Sequence, residues 1–136
     1  MTRVYIDMVA DLFHVGHLNI IKKAKKMGDV LIVGIHSDED VKSYKRTPII
    51  CHDQRVEIIK SIKYVDEVIE NAPLSITKDF LDKNKINIVV HGDDKSASIS
   101  DQHKYIIDNN IIKYVNYTKG ISTSCIINRI KETKDL

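Results

Sequence analysis

Two histidines near the amino terminus have the type and spacing to bind phosphate, in the run His14, Val15, Gly16, His17. Imidazole N–H groups can donate hydrogen bonds to phosphate oxygens, and a glycine lets the backbone approach an anion closely. At the start of a helix, free backbone N–H groups and the helix dipole favour the same anion. The spacing alone equally fits a chance arrangement or an incomplete zinc site, for which no further ligands are obvious nearby.

The elements that would position this run alternate along the chain. Short β-branched segments predict strands at residues 4–6, 30–35, 65–69, 86–90 and 111–115. Helical spacing predicts helices at residues 17–27, 53–62, 75–84, 100–109 and 122–132. We expect Gly28 to end the first helix as its C-cap. Strands alternating with helices predict a Rossmann-like, doubly wound α/β fold, with a five-stranded parallel sheet and helices on both faces.

Ligands of such sheets bind beyond the carboxyl ends of the strands, where the strand order reverses. Four loops lie at that edge, at residues 8–16, 36–52, 91–99 and 116–121. The histidine run is in the first loop, which places it at a strand-to-helix turn. At the end of the last loop, Ser122 or Thr123 can cap the final helix, whose free N–H groups can hold phosphate.

Composition limits the class of protein. The 136 residues fit one domain, and 43% hydrophobic with 29% charged residues is an ordinary globular balance. A net charge of +2 does not suggest a general polyanion binder, so we expect no nucleic-acid partner. Neither a signal peptide nor an apolar run of about 18 residues is visible, and the two cysteines lack Cys-x-x-Cys spacing. We expect a soluble, reduced, cytoplasmic domain with no membrane partner.

The histidine run resembles the HxGH signature of the nucleotidyltransferase superfamily. The segment Gly120, Ile121, Ser122, Thr123, Ser124 is similar to a second signature of that superfamily, RTEGISTS. Further blocks at residues 4–7, 33–39, 64–68, 71–73 and 91–94 follow in the same order, so the similarity runs nearly end to end. Within the superfamily the chain resembles the cytidylyltransferases that act on phosphocholine, phosphoethanolamine or glycerol 3-phosphate.

This resemblance implies a reaction in which a substrate phosphate attacks the α-phosphorus of CTP and pyrophosphate leaves. The nucleophile is already an anion, so the protein must position the reactants and neutralise charge rather than supply a base. The resemblance assigns His14 and His17 to the α-phosphate. It also implies Mg²⁺ bound with CTP, without a dedicated carboxylate cage, and a homodimer.

A family lysine that bridges CTP and the substrate phosphate corresponds to Lys45, the third implied catalytic residue. A second family lysine corresponds to Ser43, and Arg46 or Lys42 could replace its charge. The residues implied to bind the nucleotide are Val9, Ala10, His14, His17, Lys45, Gly92, Asp93, Thr118, Gly120, Ile121, Ser122 and Thr123.

Four positions in the first loop and the second signature depart from the family pattern. Met8 and Ala10 replace a glycine and a phenylalanine in the first loop, and Met8 could hinder close approach of the nucleotide. In the second signature, Tyr117 replaces the arginine and Lys119 the glutamate. Loss of a guanidinium at a triphosphate site weakens phosphate binding, and Lys119 would compensate only in part. These departures leave open a degenerate homologue that binds nucleotide but turns over little.

The implied substrate-binding residues are Asp7, Lys45 and Leu74. In the choline and ethanolamine branch an acid at the position of Asp7 faces the cationic head group, whereas the glycerol 3-phosphate branch lacks it. Choline enzymes carry tryptophan where this chain has Leu74, and another family aromatic falls at His103, so the aromatic cage for a quaternary ammonium is incomplete. The pattern favours phosphoethanolamine over phosphocholine. Glycerol 3-phosphate transfer and an adenylyl-transferring relative of the archaeal FAD synthetase type are the alternatives, the latter disfavoured by residues 71–73 and 91–94.

Overall fold

The computed structural model describes residues 1–93 and 102–136. Its strands are β1 (Arg3–Met8), β2 (Val30–Ile35), β3 (Glu67–Glu70), β4 (Ile88–Gly92) and β5 (Ile112–Val115). Its helices are α1 (Val15–Lys25), α2 (Asp38–Lys42), α3 (His52–Lys60), α4 (Lys78–Asn84), α5 (Lys104–Asp108) and α6 (Thr123–Glu132).

The five strands form one parallel sheet in the order β3-β2-β1-β4-β5. From β1 the chain first builds outward through β2 and β3, and then returns to add β4 and β5 on the other side. The order therefore reverses between β1 and β4, which opens a crevice at their carboxyl ends. This confirms the predicted fold class.

Alternation along the strands supplies the apolar surface for both faces of the sheet. Val4 and Ile6 of β1 pack with α1 and α3, whereas Tyr5 faces α4 and α5. In β2, Ile32 likewise points away from its neighbours Leu31 and Val33. A strand buried on both faces must be apolar at every position, which is why β2 is a continuous hydrophobic run.

The element bounds differ from the predictions in a few places. Helix α1 starts and ends two residues earlier than predicted, and its C-cap is Lys26 rather than Gly28. Gly28 is required for space, because a Cβ there would lie 2.6 Å from the Val4 Cγ2 atom and 2.8 Å from the Thr2 carbonyl oxygen. The short helix α2 was not predicted and lies inside the second loop. The start of the predicted helix 100–109, part of the loop 91–99 and Asp94 lie outside the described residues.

Two further findings concern membrane-spanning helices and the cysteines. Among the described residues, no helix combines the length and apolarity needed to cross a bilayer. Cys51 and Cys125 are both free and exposed.

Candidate functional site

A cavity of about 600 Å³ opens where the strand order reverses, at the carboxyl ends of β1 and β4. The predicted site residues that line it are Asp7, Val9, Ala10, His14, His17, Lys45, Leu74, Gly92, Thr118, Ile121, Ser122 and Thr123. Gly120 and Asp93, also predicted, are not lining residues. The cavity is lined in addition by Met8, Asp11, Arg46, His103 and Tyr117.

The two histidines cap helix α1 reciprocally. The backbone N–H of Gly16 donates to Nδ1 of His14 (3.0 Å), and the backbone N–H of His14 donates to Nδ1 of His17 (3.1 Å). The imidazole rings lie 3.9 Å apart between centroids. A Cβ on Gly16 would come within 2.7 Å of the His14 ring, so only glycine leaves room for this cap. The glycine between the histidines thus accommodates the His14 ring.

This cap determines which nitrogen of each ring faces the cavity as a donor. Because both Nδ1 atoms accept backbone hydrogen bonds, the proton of each neutral imidazole is on Nε2. Burial lowers the pKa of His14, and burial together with the charges of His14 and Lys45 lowers the pKa of His17 to about 4. At neutral pH both side chains are therefore neutral Nε2–H donors, which suits binding of phosphate oxygens.

Asp11 connects the first loop to the second. Its carboxylate, 2% exposed, accepts the backbone N–H groups of Ile49 (2.8 Å) and Ile50 (2.9 Å) and pairs with Nη1 of Arg46 (2.8 Å). Burial would raise the pKa of Asp11, but these three donors hold it below its usual range. The second loop, which carries Lys45, is thereby attached to the turn that carries the histidines.

Arg55, fully buried on α3, provides a second connection between these loops. Its guanidinium donates to the carbonyl oxygens of Ile50 (2.9 Å) and Val9 (2.6 Å) and to the carboxylate of Asp38 (2.6 Å). One side chain therefore fixes the first loop, the second loop and the start of α2. The planar guanidinium can do this because its donors point in several fixed directions.

Lysine and arginine side chains in the second loop differ in their availability to a ligand. Arg46 is paired with Asp11, so its charge is already compensated. Lys42 is exposed and does not line the cavity. Lys45 lines the cavity, and burial together with the neighbouring Arg46 lowers its pKa. Arg46 and Lys42 were the suggested replacements for the family lysine that is missing at Ser43. Of these two, only Arg46 lines the cavity, and Asp11 offsets its charge.

The start of α6 completes the phosphate end of the cavity. Gly120 adopts a φ of +84°, a conformation that favours glycine, and turns the chain into the helix. Ser122 caps α6 by accepting from the backbone N–H of Cys125 (3.1 Å). The Thr123 hydroxyl donates to the carbonyl oxygen of Asp11 (3.0 Å) and lies 3.5 Å from Nε2 of His14. The two predicted phosphate-binding turns are therefore in contact.

Tyr117 occupies the position of the family arginine and packs over the end of β4. A Cβ on Gly92 would lie 2.2 Å from the Tyr117 ring, so the glycine makes room for that ring. The Tyr117 backbone N–H donates to Asp93 over 3.4 Å. Lys119, suggested above as a partial substitute for the arginine, does not line the cavity. Tyr117 therefore covers the cavity wall at the end of β4 without adding a positive charge.

A cluster of one carboxylate and three imidazoles also lines the cavity. The side chain of Asp7 is 5% exposed, and its Oδ2 lies 3.4 Å from Nε2 of His36, whose Nδ1 donates to the Ala72 carbonyl (3.0 Å). Burial would raise the pKa of Asp7 and lower that of His36. Their mutual hydrogen bond and charge reverse both effects, so the pKa of Asp7 is lowered and that of His36 raised. His91 and His103 complete the cluster.

Four residues of this site were not predicted, namely Asp11, His36, Arg55 and His91. An aspartate three residues after strand β1 and an arginine on an apolar helix face were the signals present in the sequence. Neither signal identifies its partners, because all of them except Ile50 lie 17 to 46 positions away along the chain.

Known proteins share this architecture. Residues 8–131 match the family model described as cytidylyltransferase-like. An ethanolamine-phosphate cytidylyltransferase of Dictyostelium discoideum is 35% identical over 130 residues, which cover 94% of this chain and 36% of that protein. Choline-phosphate cytidylyltransferase A of Mus musculus is 38% identical over 138 residues, covering 98% of this chain and 38% of that protein. The chain thus spans little more than a third of the length of these relatives.

Solved structures show the same fold. The lipopolysaccharide core biosynthesis protein from Thermoplasma volcanium GSS1 aligns with a TM-score of 0.70 and 28% identity, over 89% of this chain and 99% of that chain. The strand order and the crevice between β1 and β4 define a Rossmann-like α/β domain. Within that class, the chain belongs to the cytidylyltransferase-like family.

Proposed function

We propose that this chain transfers CMP from CTP to a phosphorylated amino alcohol, forming a CDP-alcohol and releasing pyrophosphate. The observation that carries the proposal is the pair of neutral Nε2–H donors on His14 and His17, held beside the start of α6 in one cavity. Family membership supports the same reaction, since relatives named as ethanolamine- and choline-phosphate cytidylyltransferases match along nearly the whole chain.

In this mechanism the oxygen of the acceptor phosphate attacks the α-phosphorus, and the bond to the pyrophosphate oxygen breaks. His14 and His17 donate hydrogen bonds to the α-phosphate oxygens, where negative charge develops. Lys45 lies between the two reactants and offsets the charge of both phosphates. No protein base is needed, because the acceptor is already an anion.

We propose that Mg²⁺ reaches the site with CTP and is held by phosphate oxygens and water. Among the described lining residues the carboxylates are Asp7 and Asp11. Asp11 is already bonded to two backbone N–H groups and Arg46, and Asp7 lies within the histidine cluster. The residues present therefore suit a metal bound through the substrate. The homodimer stays a prediction.

For the acceptor we propose phosphoethanolamine in preference to phosphocholine. The cavity lining includes Asp7, Leu74, His91 and His103, none of which belongs to the two phosphate-binding turns. A primary ammonium can donate N–H hydrogen bonds to a carboxylate and to imidazole nitrogens. A quaternary ammonium has no N–H and depends on aromatic faces, and the aromatic positions of the choline enzymes hold Leu74 and His103 here.

The test is pyrophosphate release from CTP with phosphoethanolamine, phosphocholine or glycerol 3-phosphate as the acceptor. We expect release to be fastest with phosphoethanolamine. The matched variant is His14→Asn, because the asparagine Oδ1 can replace Nδ1 as the helix cap while the Nε2–H is lost. We expect it to fold normally and to lower kcat by about a hundredfold or more. Equal turnover by wild type and His14→Asn would refute the catalytic role.

A second candidate is a nucleotide-binding homologue with little turnover. It is favoured by Tyr117, which occupies the arginine position, and by Met8, which lines the cavity where relatives of the family have glycine. CTP binding in calorimetry without pyrophosphate release with any acceptor would establish this candidate over the first.

A further inference from the structure

One side-chain cluster in the cavity has the composition of a metal site. Ligand atoms of Asp7, His91 and His103 all lie within 4.8 Å of one another. Asp7 lies near the carboxyl end of β1, and His91 lies near the carboxyl end of β4. These two strands are neighbours at the point where the strand order reverses. His103 reaches the same place from the segment preceding α5.

A second observation concerns an unsatisfied atom in this cluster. His103 is 3% exposed, and its Nδ1 is buried without a hydrogen-bond partner among the described residues. Buried ring nitrogens are normally bonded to a donor, an acceptor or a metal ion, because an unpaired polar group away from water is unfavourable. Nδ1 of His103 is therefore available to bind a ligand of the cluster.

The surrounding hydrogen bonds orient two of the groups as metal ligands. Nδ1 of His91 lies 3.2 Å from the Gly92 carbonyl, which can only accept, so Nδ1 carries the proton and Nε2 keeps its lone pair. His36 contacts one oxygen of Asp7 and is itself fixed by the Ala72 carbonyl. Metal-binding histidines and carboxylates are typically held by such outer contacts, which fix the tautomer and the orientation of the ligand.

We propose that Asp7, His91 and His103 bind a divalent transition-metal ion, with Zn²⁺ the best fit. Two imidazoles and one carboxylate suit Zn²⁺ and Co²⁺ rather than Mg²⁺, which prefers oxygen ligands alone. Tetrahedral ligands at about 2.1 Å from an ion are about 3.4 Å apart, so modest side-chain rotations would bring these atoms, now within 4.8 Å of one another, to that spacing. All three residues line the cavity. The ion and the amino head group would then exclude each other, a consequence that rests on the proposed function.

The test uses Co²⁺ as a spectroscopic probe on the purified full chain, with no nucleotide present. We expect one Co²⁺ per chain, with visible absorption of a four- or five-coordinate site, and displacement by Zn²⁺. His103→Phe keeps a ring of similar shape but removes both nitrogens, and Asp7→Asn removes the charge. Each should weaken Co²⁺ binding at least about tenfold, and His91→Gln serves as a third variant should either fail to fold.

The control variants are His14→Asn and His17→Asn, which alter the other imidazole pair of the same cavity. They should bind Co²⁺ as the wild type does. Absence of stoichiometric Co²⁺ binding, or loss of binding in the control variants but not in His103→Phe, would overturn the proposal. Because the readout needs neither CTP nor turnover, its failure is distinct from failure of the proposed function.

Discussion

The depressed pKa of His17 makes a quantitative prediction about stability against pH. The native pKa is about 4, compared with 6.5 for a free imidazole. As pH falls below 6.5, the unfolded chain binds a proton at His17 that the folded chain does not bind until about pH 4. The free energy of unfolding therefore falls progressively through that window, and the whole decrease is present below about pH 4. The difference corresponds to at most about 3 kcal/mol, a ceiling because the ring is only partly buried.

The perturbation that isolates this effect is His17→Asn. The asparagine Oδ1 can still accept the His14 backbone N–H, so the cap of α1 is retained while the titrating group is removed. Urea unfolding of both proteins at several pH values between about 7.5 and 4.5 measures the two free energies of unfolding. As the pH falls across this range, we expect the free energy of unfolding of the variant to rise relative to that of wild type by about 1 to 3 kcal/mol.

A comparison with His17→Gln separates the cap from the charge. Glutamine also removes the titration but places its amide near Nε2 rather than Nδ1, so the capping acceptor is lost. It should show the same pH dependence as His17→Asn, offset downward by about 1 kcal/mol at every pH. If wild type and His17→Asn have parallel curves, His17 ionises as a free imidazole does, and the assignment of neutral histidine donors loses its physical basis.

Further predictions concern the loops and one exposed helix end. Lys45→Ala should raise KM for both CTP and the acceptor, whereas Lys42→Ala, outside the cavity, should leave both unchanged; steady-state kinetics decides. Asp11→Asn should lower the free energy of unfolding by about 2 kcal/mol, because the ion pair and a backbone bond are lost; urea unfolding equal to wild type would contradict this. Tyr117→Arg should tighten CTP binding about tenfold in calorimetry, and unchanged affinity would mean that this part of the cavity wall does not reach the phosphates. Lys85→Gly should stabilise the fold by about 1 kcal/mol, since Lys85 is exposed with a φ of +55° at the end of α4, and thermal melting checks it.

Local patterns in the sequence were sufficient for the fold class and for placing the histidine run at the turn after the first strand. The alternation of β-branched runs with helical spacing depends on residues within one turn or strand of each other, and it predicted all five strands to within a few residues. The His14–His17 run also acts locally, because its two capping hydrogen bonds join residues two and three positions apart. Such short-range features are visible in the amino-acid order itself.

What only the tertiary structure decided are the contacts between residues distant in the chain. Asp11 holds the second loop over a separation of 35 to 39 positions, and Arg55 reaches Val9 over 46. The reason for Gly28 is likewise a neighbour, Val4, rather than a helix end. Asp7 becomes part of a histidine cluster because the carboxyl ends of β1 and β4 and the start of α5 converge there. Local propensity does not specify these partners, since each contact forms only after the strands have paired. Polar groups that are then buried must hydrogen-bond to one another, because an unpaired buried group is unfavourable.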